Sequence, residues 1–350
     1  MSVTKTIFIG PFSKGRIPKD GASIKNNHIL GRLRPLIPDL VEFDTENWKK
    51  RPFLLLRMLW TILCNPKAKY ILSLNNDSAN KTIRVLKKFA PNASVIYWVI
   101  GGSIGKWIVE GRVKTTDYAW LKNIIVEGES MKSQMEKVGL TNVSVLPNFK
   151  SYDGLPVIPR HKCQDRLNFV FLSRININKG CTLLLNAVKY LNSIGYTDRF
   201  TVDFYGPIED GYNDEFTERV QTLPNVNYNG FLDLRDKANY TTLAKYDAMV
   251  FPTFWHGEGC PGIVIDAYIC GLPILASDWN MNRDYIIHNQ TGILFEPKLE
   301  KAIADTILKC ITGEINLERL RDGAFASKSN YDINVVLSNT NLIKNHLVNA

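Results

Sequence analysis

The sequence predicts an α/β fold in which two doubly wound, Rossmann-like domains follow one another. Strand-like apolar runs alternate with helical segments along the chain, the alternation breaks once near the middle, and 350 residues suffice for two domains. Strands joined through helices form parallel sheets with covered faces. Ligands of such folds bind beyond the carboxyl ends of the strands, so the loops after the strands are the places to examine.

The first domain is predicted over residues 1–150. Its opening strand stops at Gly10 and Pro11, and amphipathic helical segments such as "SANKTIRVLKKFA" separate the strands that follow. The strand-like runs are "TKTIFIG", "KYILSLN", "ASVIYWVIGG", "NIIVEGE" and "VSVLPNF".

Residues 151–165 are predicted to be a linker, because they are rich in Pro, Gly and charge and lack periodicity. A second domain over residues 166–330 follows, and residues 331–350 are predicted to form a terminal helix that packs back on the first domain. A ligand cleft is expected between the two domains. The strand-like runs of the second domain are "LNFVFLSRI", "FTVDFYG", "VNYNGFL", "YDAMVFPT" and "GLPILASD".

Charge is distributed unevenly along the chain. Residues 1–160 hold 25 Lys and Arg against 12 Asp and Glu, whereas residues 161–350 hold 18 against 22. A basic first half indicates an anionic partner, although a solubility surface would have the same composition. No zinc finger, RNP or helix-turn-helix signature is present, so nucleic acid is not an expected partner.

The composition favours a protein of the reducing cytoplasm. No cleavable signal follows the first strand, and the longest apolar stretch, Phe53–Cys64, is too short to span a bilayer and contains Arg57. Six cysteines lack CxxC pairs, so the sequence predicts neither a zinc site nor a disulfide framework.

The segment 47–60 mixes cations with aromatic and aliphatic residues. Two interpretations are open: an interfacial helix that meets anionic headgroups, or a core helix with a basic outer face. The first would make the protein peripheral on the inner face of the cell membrane. The residues concerned are Lys49, Lys50, Arg51 and Arg57 with Trp48, Phe53, Leu54 and Trp60.

The loop "SRININKG" places two cations between a strand and a helix. Arg174 and Lys179 follow the strand that ends at Ser173, and Gly180 precedes a helical run. Free N–H groups at a helix start add to the charge of such cations, and Arg offers a planar fork to phosphate. The loop is therefore a candidate anion site, against the alternative of two solvated surface cations.

Two carboxylates flank the turn in "GEGCPGIVIDAY". Glu258 is predicted to lie in a loop, and Asp266 about two turns inside a buried helix, so they do not form a close acid/base pair. Each is expected to accept hydrogen bonds from different hydroxyls of one long ligand. A structural Asp that caps a neighbouring loop is the alternative for Asp266.

These motifs together resemble retaining glycosyltransferases of the GT-B fold, family 4. The resemblance rests on Arg174, Lys179 and the Glu258-x7-Asp266 spacing, and is strongest over residues 168–298. It also includes "YG" at 205–206, "GFL" at 230–232 and "TGILFEP" from residue 291, and is similar to the bacterial subgroup that builds capsular and other surface polysaccharides.

The resemblance implies a role for each matching residue. Arg174 and Lys179 would hold the donor diphosphate as it leaves, and Glu258 would bind hydroxyls of the donor sugar. Asp266 would accept from the ribose hydroxyls. The remaining donor-binding positions are Gly21 near the phosphates, Gly206, Phe231 and Leu232 near the base, and Gly259, Cys260, Pro261, Gly262 and Ile263 along the sugar and phosphates.

The sequence departs from the family pattern at two points. Asp266 stands where the family has Glu, so its side chain is one methylene shorter. Many members carry His or Asp near the reacting sugar, whereas residues 97–107 contain no His; Gly101, Gly102 and Ser103 are the acceptor-binding candidates there. His28 and His256 are the other histidines considered, and a lone His is more often structural.

The resemblance implies transfer of a sugar from a nucleotide-sugar, with UDP favoured, to a lipid-diphosphate-linked oligosaccharide or other glycan. No cofactor and no metal is expected, since Arg174 and Lys179 would replace a metal ion. Two other functions are considered: a nucleotide-sugar epimerase of GT-B type, and a non-catalytic protein that binds membrane surfaces through its basic half.

Overall fold

The computed structural model describes residues 5–15 and 21–338 and divides the chain into two compact units. The first contains the described residues up to Lys150 together with those from Ile333, and the second is Ser151–Asp332. No helix or strand occurs within residues 151–165, the segment predicted to be a linker. The part of the terminal helix predicted beyond residue 338 lies outside the described residues.

Six parallel strands form the sheet of the first unit, as far as it is described, in the order β2-β1-β3-β4-β5-β6. Their bounds are β1 Thr6–Gly10, β2 Val41–Asp44, β3 Lys69–Leu72, β4 Ser94–Trp98, β5 Asn123–Val126 and β6 Val143–Val145. The helices are α1 Gly21–Leu33, α2 Pro52–Cys64, α3 Asn76–Phe89, α4 Ile104–Val109, α5 Thr115–Ala119 and α6 Glu129–Glu136. Strand β2 is an addition to the predicted set, because only Val41 and Phe43 of its four residues are apolar.

The second unit repeats this plan. Within its described residues six parallel strands lie in the order β12-β11-β10-β7-β8-β9. They are β7 Leu167–Leu172, β8 Phe200–Tyr205, β9 Val226–Tyr228, β10 Ala248–Phe251, β11 Ile274–Ser277 and β12 Gly292–Phe295. The helices are α7 Cys181–Ser193, α8 Asn213–Gln221, α9 Tyr240–Leu243, α10 Gly262–Ile269, α11 Asn282–Tyr285, α12 Glu300–Ile311 and α13 Leu317–Ser327. Strand β12 was not among the predicted strands.

The chain returns to the first unit in α14, Ile333–Ser338. Ile333 and Val336 of this helix join the buried core formed by Phe8, Ile29 and Trp98. The apolar face of α14 is thus buried within the first unit.

The two doubly wound sheets match the architecture predicted from the alternating sequence pattern. Strand order reverses between β1 and β3 in the first unit and between β7 and β10 in the second. Side chains that follow these strands meet where ligands bind in such sheets. The predicted anion loop follows β7, and Glu258 follows β10.

Candidate functional site

The loop after β7 is built around two residues with defined backbone roles. The Asn176 side chain accepts a hydrogen bond from the Lys179 N–H at 2.9 Å and so caps the short 3-10 turn Ile177–Lys179. Gly180 adopts φ +81°, and a Cβ there would lie 2.3 Å from the carbonyl oxygen of Pro252. Only glycine permits this close approach of the loop after β7 to the end of β10.

The close approach brings together Lys179 and Glu258. The Lys179 ammonium lies 2.5 Å from Oε2 of Glu258, and the Thr253 hydroxyl donates to the same oxygen at 2.8 Å. The side chains are 16% and 7% exposed. Two residues predicted to face one ligand are therefore partners of each other at the switch point of the sheet.

This pair retains hydrogen-bonding capacity for a ligand. An ammonium has three N–H donors, and a carboxylate accepts at both oxygens. Lys179 and Thr253 both bind Oε2 of Glu258 rather than Oε1. The geometry leaves a cation that can bind phosphate oxygens next to a carboxylate that can accept from hydroxyl groups.

Asn280, which the sequence analysis missed, holds the loop that carries Glu258. Its side-chain amide donates to the carbonyl oxygens of Trp255 at 3.2 Å, His256 at 3.0 Å and Glu258 at 3.5 Å. The Trp279 indole N–H also donates to the Trp255 carbonyl, at 3.0 Å. Asn280 adopts φ +48°, a left-handed conformation that Asn tolerates better than most residues.

The loop that carries Glu258 ends at the N-terminus of α10. Pro261 occupies the N-cap and provides no side-chain cap, so the first N–H groups of Gly262 and Ile263 are not used by a capping side chain. Gly259 and Cys260 are buried, and the next three residues are half-buried. Backbone amides at this position favour anionic groups.

Asp266 lies just over one turn inside α10, not two turns as predicted, because the helix begins at Gly262. The residue is 2% exposed, and the Tyr240 hydroxyl donates to its Oδ1. Burial, with the Asp266 charge nearby, raises the pKa of Tyr240 far above its ordinary value. The structure gives Asp266 a protein partner, and contact with a ribose stays a prediction.

Arg174 begins the same loop, directly after Ser173. Its side chain is exposed, and among the described residues its guanidinium forms no ion pair. The backbone beneath it is fixed: Gly206 has φ +144°, and a Cβ there would lie 1.8 Å from the Ser173 carbonyl oxygen. The backbone next to Arg174 is thus fixed by a close contact, while the Arg174 side chain is exposed.

Gly206 also connects to the predicted base-binding segment. The Gly206 N–H donates to the Gly230 carbonyl at 2.8 Å, and the Gly206 carbonyl accepts from the Tyr228 hydroxyl at 3.0 Å. Phe231 is 64% exposed, whereas Leu232 is buried. The Phe231 ring has an open face of the kind on which a base can stack.

The remaining predicted residues lie in the first unit, and their ligand roles stay predictions. Gly21 starts α1, and Gly101 adopts φ +85° after β4. Ser103 accepts a hydrogen bond from Asn76 at 2.8 Å. At the switch point of this sheet the Ser73 hydroxyl and Oδ1 of Asn26 are buried without a hydrogen-bond partner.

Among residues 5–15 and 21–338 no cluster of three His, Cys, Asp or Glu side chains has the geometry of a metal site. His256 is exposed, and its ring packs 5.2 Å from that of Trp279. Burial raises the pKa of the Cys181 thiol, which follows Gly180, to about 12. Cys181 is accordingly a neutral core residue and not a nucleophile at physiological pH.

Comparison with known proteins identifies the domain that carries this site. Residues 166–313 match the family model "Glycosyl transferases group 1" and form a domain of that type. The capsular polysaccharide biosynthesis glycosyltransferase CapM of Staphylococcus aureus is 27% identical over 149 residues, which is 42% of this chain and 38% of CapM. The chain therefore spans well under half the length of this curated relative.

Solved structures resemble the whole chain. The Anabaena protein Alr3699/HepE in complex with UDP superposes with a TM-score of 0.70 at 14% identity, covering 99% of this chain and 100% of that one. The lipopolysaccharide outer core galactosyltransferase WaaB, in its apo form, gives a TM-score of 0.73 at 14% identity, with 97% and 98% covered. At these identities the likeness establishes only the fold, which is GT-B.

Proposed function

We propose that this chain is a retaining glycosyltransferase of family 4 that transfers a sugar, in the manner of a hexosyltransferase, from a UDP-sugar to a glycan acceptor. The observation that carries the proposal is the contact between Lys179 and Glu258 at the switch point of the second unit's sheet. It joins a phosphate-binding cation to a hydroxyl-binding carboxylate within a group 1 domain. A nucleotide-sugar needs both groups at one place.

The donor diphosphate is assigned to the cations and amides after β7 and β10. Arg174 offers a planar fork, and Lys179 a point charge that can keep its contact with Glu258 while two N–H groups face phosphate oxygens. The N–H groups at the start of α10 add to the positive field. UDP is favoured because the HepE structure of the same fold holds UDP.

The sugar is assigned to Glu258. Its Oε2 is occupied by Lys179 and Thr253, which fix the carboxylate, and Oε1 accepts from sugar hydroxyls. Asn280 holds the loop in this geometry. Asp266 is assigned to the ribose hydroxyls.

The chemistry requires no protein nucleophile. The acceptor oxygen forms a bond to the anomeric carbon on the face from which the diphosphate departs. The bond from that carbon to the phosphate oxygen breaks, and the acceptor proton passes to the leaving phosphate. Arg174 and Lys179 stabilise the charge that develops, so the proposed reaction is independent of metal ions.

The acceptor is proposed to be a lipid-diphosphate-linked oligosaccharide of surface polysaccharide biosynthesis, used at the inner face of the cell membrane. CapM and WaaB, which resemble this chain, are named for capsular polysaccharide and for lipopolysaccharide outer core. The basic first half of the sequence fits an anionic lipid-linked substrate.

A panel of UDP- and GDP-sugars tests the proposal. Thermal shift reports which donors bind, since a ligand specific to the folded state raises the melting temperature. NMR of the best donor then follows its fate without acceptor. Slow release of nucleotide with the free sugar first appearing in the donor's anomeric configuration supports a retaining transferase; a changed sugar identifies an epimerase, and absence of any binding contradicts both enzymes.

A further inference from the structure

Helix α2 exposes an apolar face that nothing in the described part of the chain covers. Phe53 is 80%, Trp60 69% and Leu56 63% exposed. Three further leucines of the helix are also exposed. The α2 apolar face, as used below, consists of Phe53, Leu55, Leu56, Leu59, Trp60 and Leu63.

These residues are not needed to hold the helix on its unit. Leu54, Met58 and Ile62, spaced four apart, are the buried residues of α2 and form one narrow stripe. A surface helix normally presents its polar residues opposite such a stripe. Here the opposite side is apolar as well, and contiguous exposed apolar patches mark interaction surfaces. The interpretation of this segment as a core helix with a basic outer face does not fit these exposures.

A groove extends the apolar surface. A cavity of about 330 Å³ opens between α2 and α3, lined by Trp48, Leu55, Met58 and Leu59 on one side and by Val85 on the other. Lys81, which is exposed, stands at its edge. Apolar walls with a cation at the rim suit a lipid with an anionic headgroup.

The charge around the helix specifies the partner further. Residues 47–76 contain six Lys and Arg and no Asp or Glu. Arg57 is exposed on the helix, its guanidinium carbon 5.2 Å from the centre of the Phe43 ring. Cations beside exposed Trp, Phe and Leu favour an anionic lipid surface, whereas a second copy of this face would oppose like charges.

The length of α2 excludes a spanning helix. Thirteen residues extend for about 20 Å, against a hydrocarbon core of about 30 Å. In the described part of the chain no helix is long and apolar enough to cross a bilayer. Helices of this kind lie in the plane of the interface with the apolar side down.

We infer that the α2 apolar face docks the first unit onto an anionic bilayer, with Phe53, Leu56 and Trp60 entering the headgroup region. This deepens the proposed function by naming the surface through which the enzyme would reach a lipid-linked acceptor. It is tested independently of that function, since vesicle binding requires neither donor nor acceptor.

The experiment is co-sedimentation of the full chain with vesicles of phosphatidylcholine alone or with 30% phosphatidylglycerol (roughly the anionic content that gives a strong surface potential). The wild type is expected to sediment with the anionic vesicles at low salt and to be released at high salt. Phe53→Ser/Trp60→Ser should lower the partition coefficient at least tenfold. Lys50→Glu/Arg57→Glu should lower it by a similar factor, since each cation near an anionic leaflet contributes about fivefold.

A matched control removes two exposed apolar residues elsewhere. Tyr190 and Val109 are 48% and 50% exposed, on α7 and α4. Tyr190→Ser/Val109→Ser should bind vesicles as the wild type does. UDP thermal shift of every variant separates loss of docking from loss of fold or of donor binding.

A second measurement tests whether the Trp60 indole enters the bilayer. Brominated lipids should quench wild-type tryptophan fluorescence, and Trp60→Phe should reduce that quenching. Equal vesicle binding by wild type and Phe53→Ser/Trp60→Ser overturns the inference. So does a wild-type dimer that ignores vesicles and becomes monomeric in that variant, because a second copy then covers the face.

Discussion

The ammonium of Lys179 and the carboxylate of Glu258 lie 2.5 Å apart across 79 residues of sequence. Lys179 precedes α7 and Glu258 precedes α10, and the two meet because β7 and β10 are neighbours in the sheet. Each reduces the cost of partial burial for the other. The pair is therefore structural in the absence of ligand and available to a ligand of mixed charge.

Removing either partner of this pair should destabilise the second unit. Lys179→Met leaves a buried carboxylate, and Glu258→Gln leaves an ammonium without its counter-charge, so each should cost about 1–3 kcal/mol in urea unfolding. The double variant should cost less than the sum, with a coupling of at least about 0.5 kcal/mol. As a control, the exposed pair Lys309 and Glu314 should couple by less than about 0.5 kcal/mol. Additive costs at Lys179 and Glu258 would mean that the contact contributes nothing.

Substitutions of Glu258 and of Asp266 should impair different steps, turnover and nucleotide binding respectively. Glu258→Gln should reduce turnover while affinity for UDP, measured by calorimetry, stays nearly unchanged, since UDP lacks the sugar. Asp266→Asn should weaken UDP binding by roughly 1.5–3 kcal/mol, the range for one charge-assisted hydrogen bond.

Tyr240→Phe serves as the control for Asp266, because it removes the hydroxyl that Asp266 accepts from without altering the carboxylate. It should lower the free energy of unfolding by about 1–3 kcal/mol and leave UDP affinity within twofold. If Asp266→Asn behaves like Tyr240→Phe, Asp266 is a structural residue and the ribose assignment fails.

Asn280→Asp should lower turnover by roughly 10-fold, about 1.4 kcal/mol, because a carboxylate cannot donate to the carbonyls of Trp255 and His256. Asp tolerates the left-handed backbone about as well as Asn, so the loss would come from the loop and not from strain. Asn289→Asp, at another left-handed position (φ +62°), is the matched control and should keep full turnover. Steady-state kinetics of the two variants would refute the role of Asn280 if they were equal.

Turnover should persist in excess EDTA. In the proposed mechanism Arg174 and Lys179 offset the charge of the leaving diphosphate, the role that a divalent ion would otherwise have. The measurement is initial rate with and without chelator, using the best donor of the panel. Loss of activity that Mg²⁺ or Mn²⁺ restores would contradict the cationic mechanism.

The sequence predicted the two parallel sheets because most of their strands have strong local signals. Apolar alternation located the strands except Val41–Asp44 and Gly292–Phe295. The spacing of Arg174, Lys179, Glu258 and Asp266 carried the family resemblance.

What the sequence could not supply were partners brought in by the fold. In the sequence, nothing distinguishes Asn280, Thr253 and Tyr240 from other polar residues. In the structure, Asn280 and Thr253 donate hydrogen bonds to the loop that carries Glu258, and Tyr240 donates to Asp266. A signal for Asn280 was its position three residues after the strand "ILAS", in a loop at the carboxyl end of that strand. The exposure of Phe53 and Trp60, which argues against a core helix at α2, could likewise not be read from the sequence.

The central claim is that Arg174 and Lys179 hold the diphosphate of the donor. The most direct test is UDP binding and donor turnover in Arg174→Ala and Lys179→Ala, with Arg219→Ala on α8 as a folded control. Each site variant should lose turnover by about 100-fold or more and lose most of the UDP-induced thermal shift, while Arg219→Ala keeps both. Near-normal turnover and UDP shift in both site variants would contradict the account.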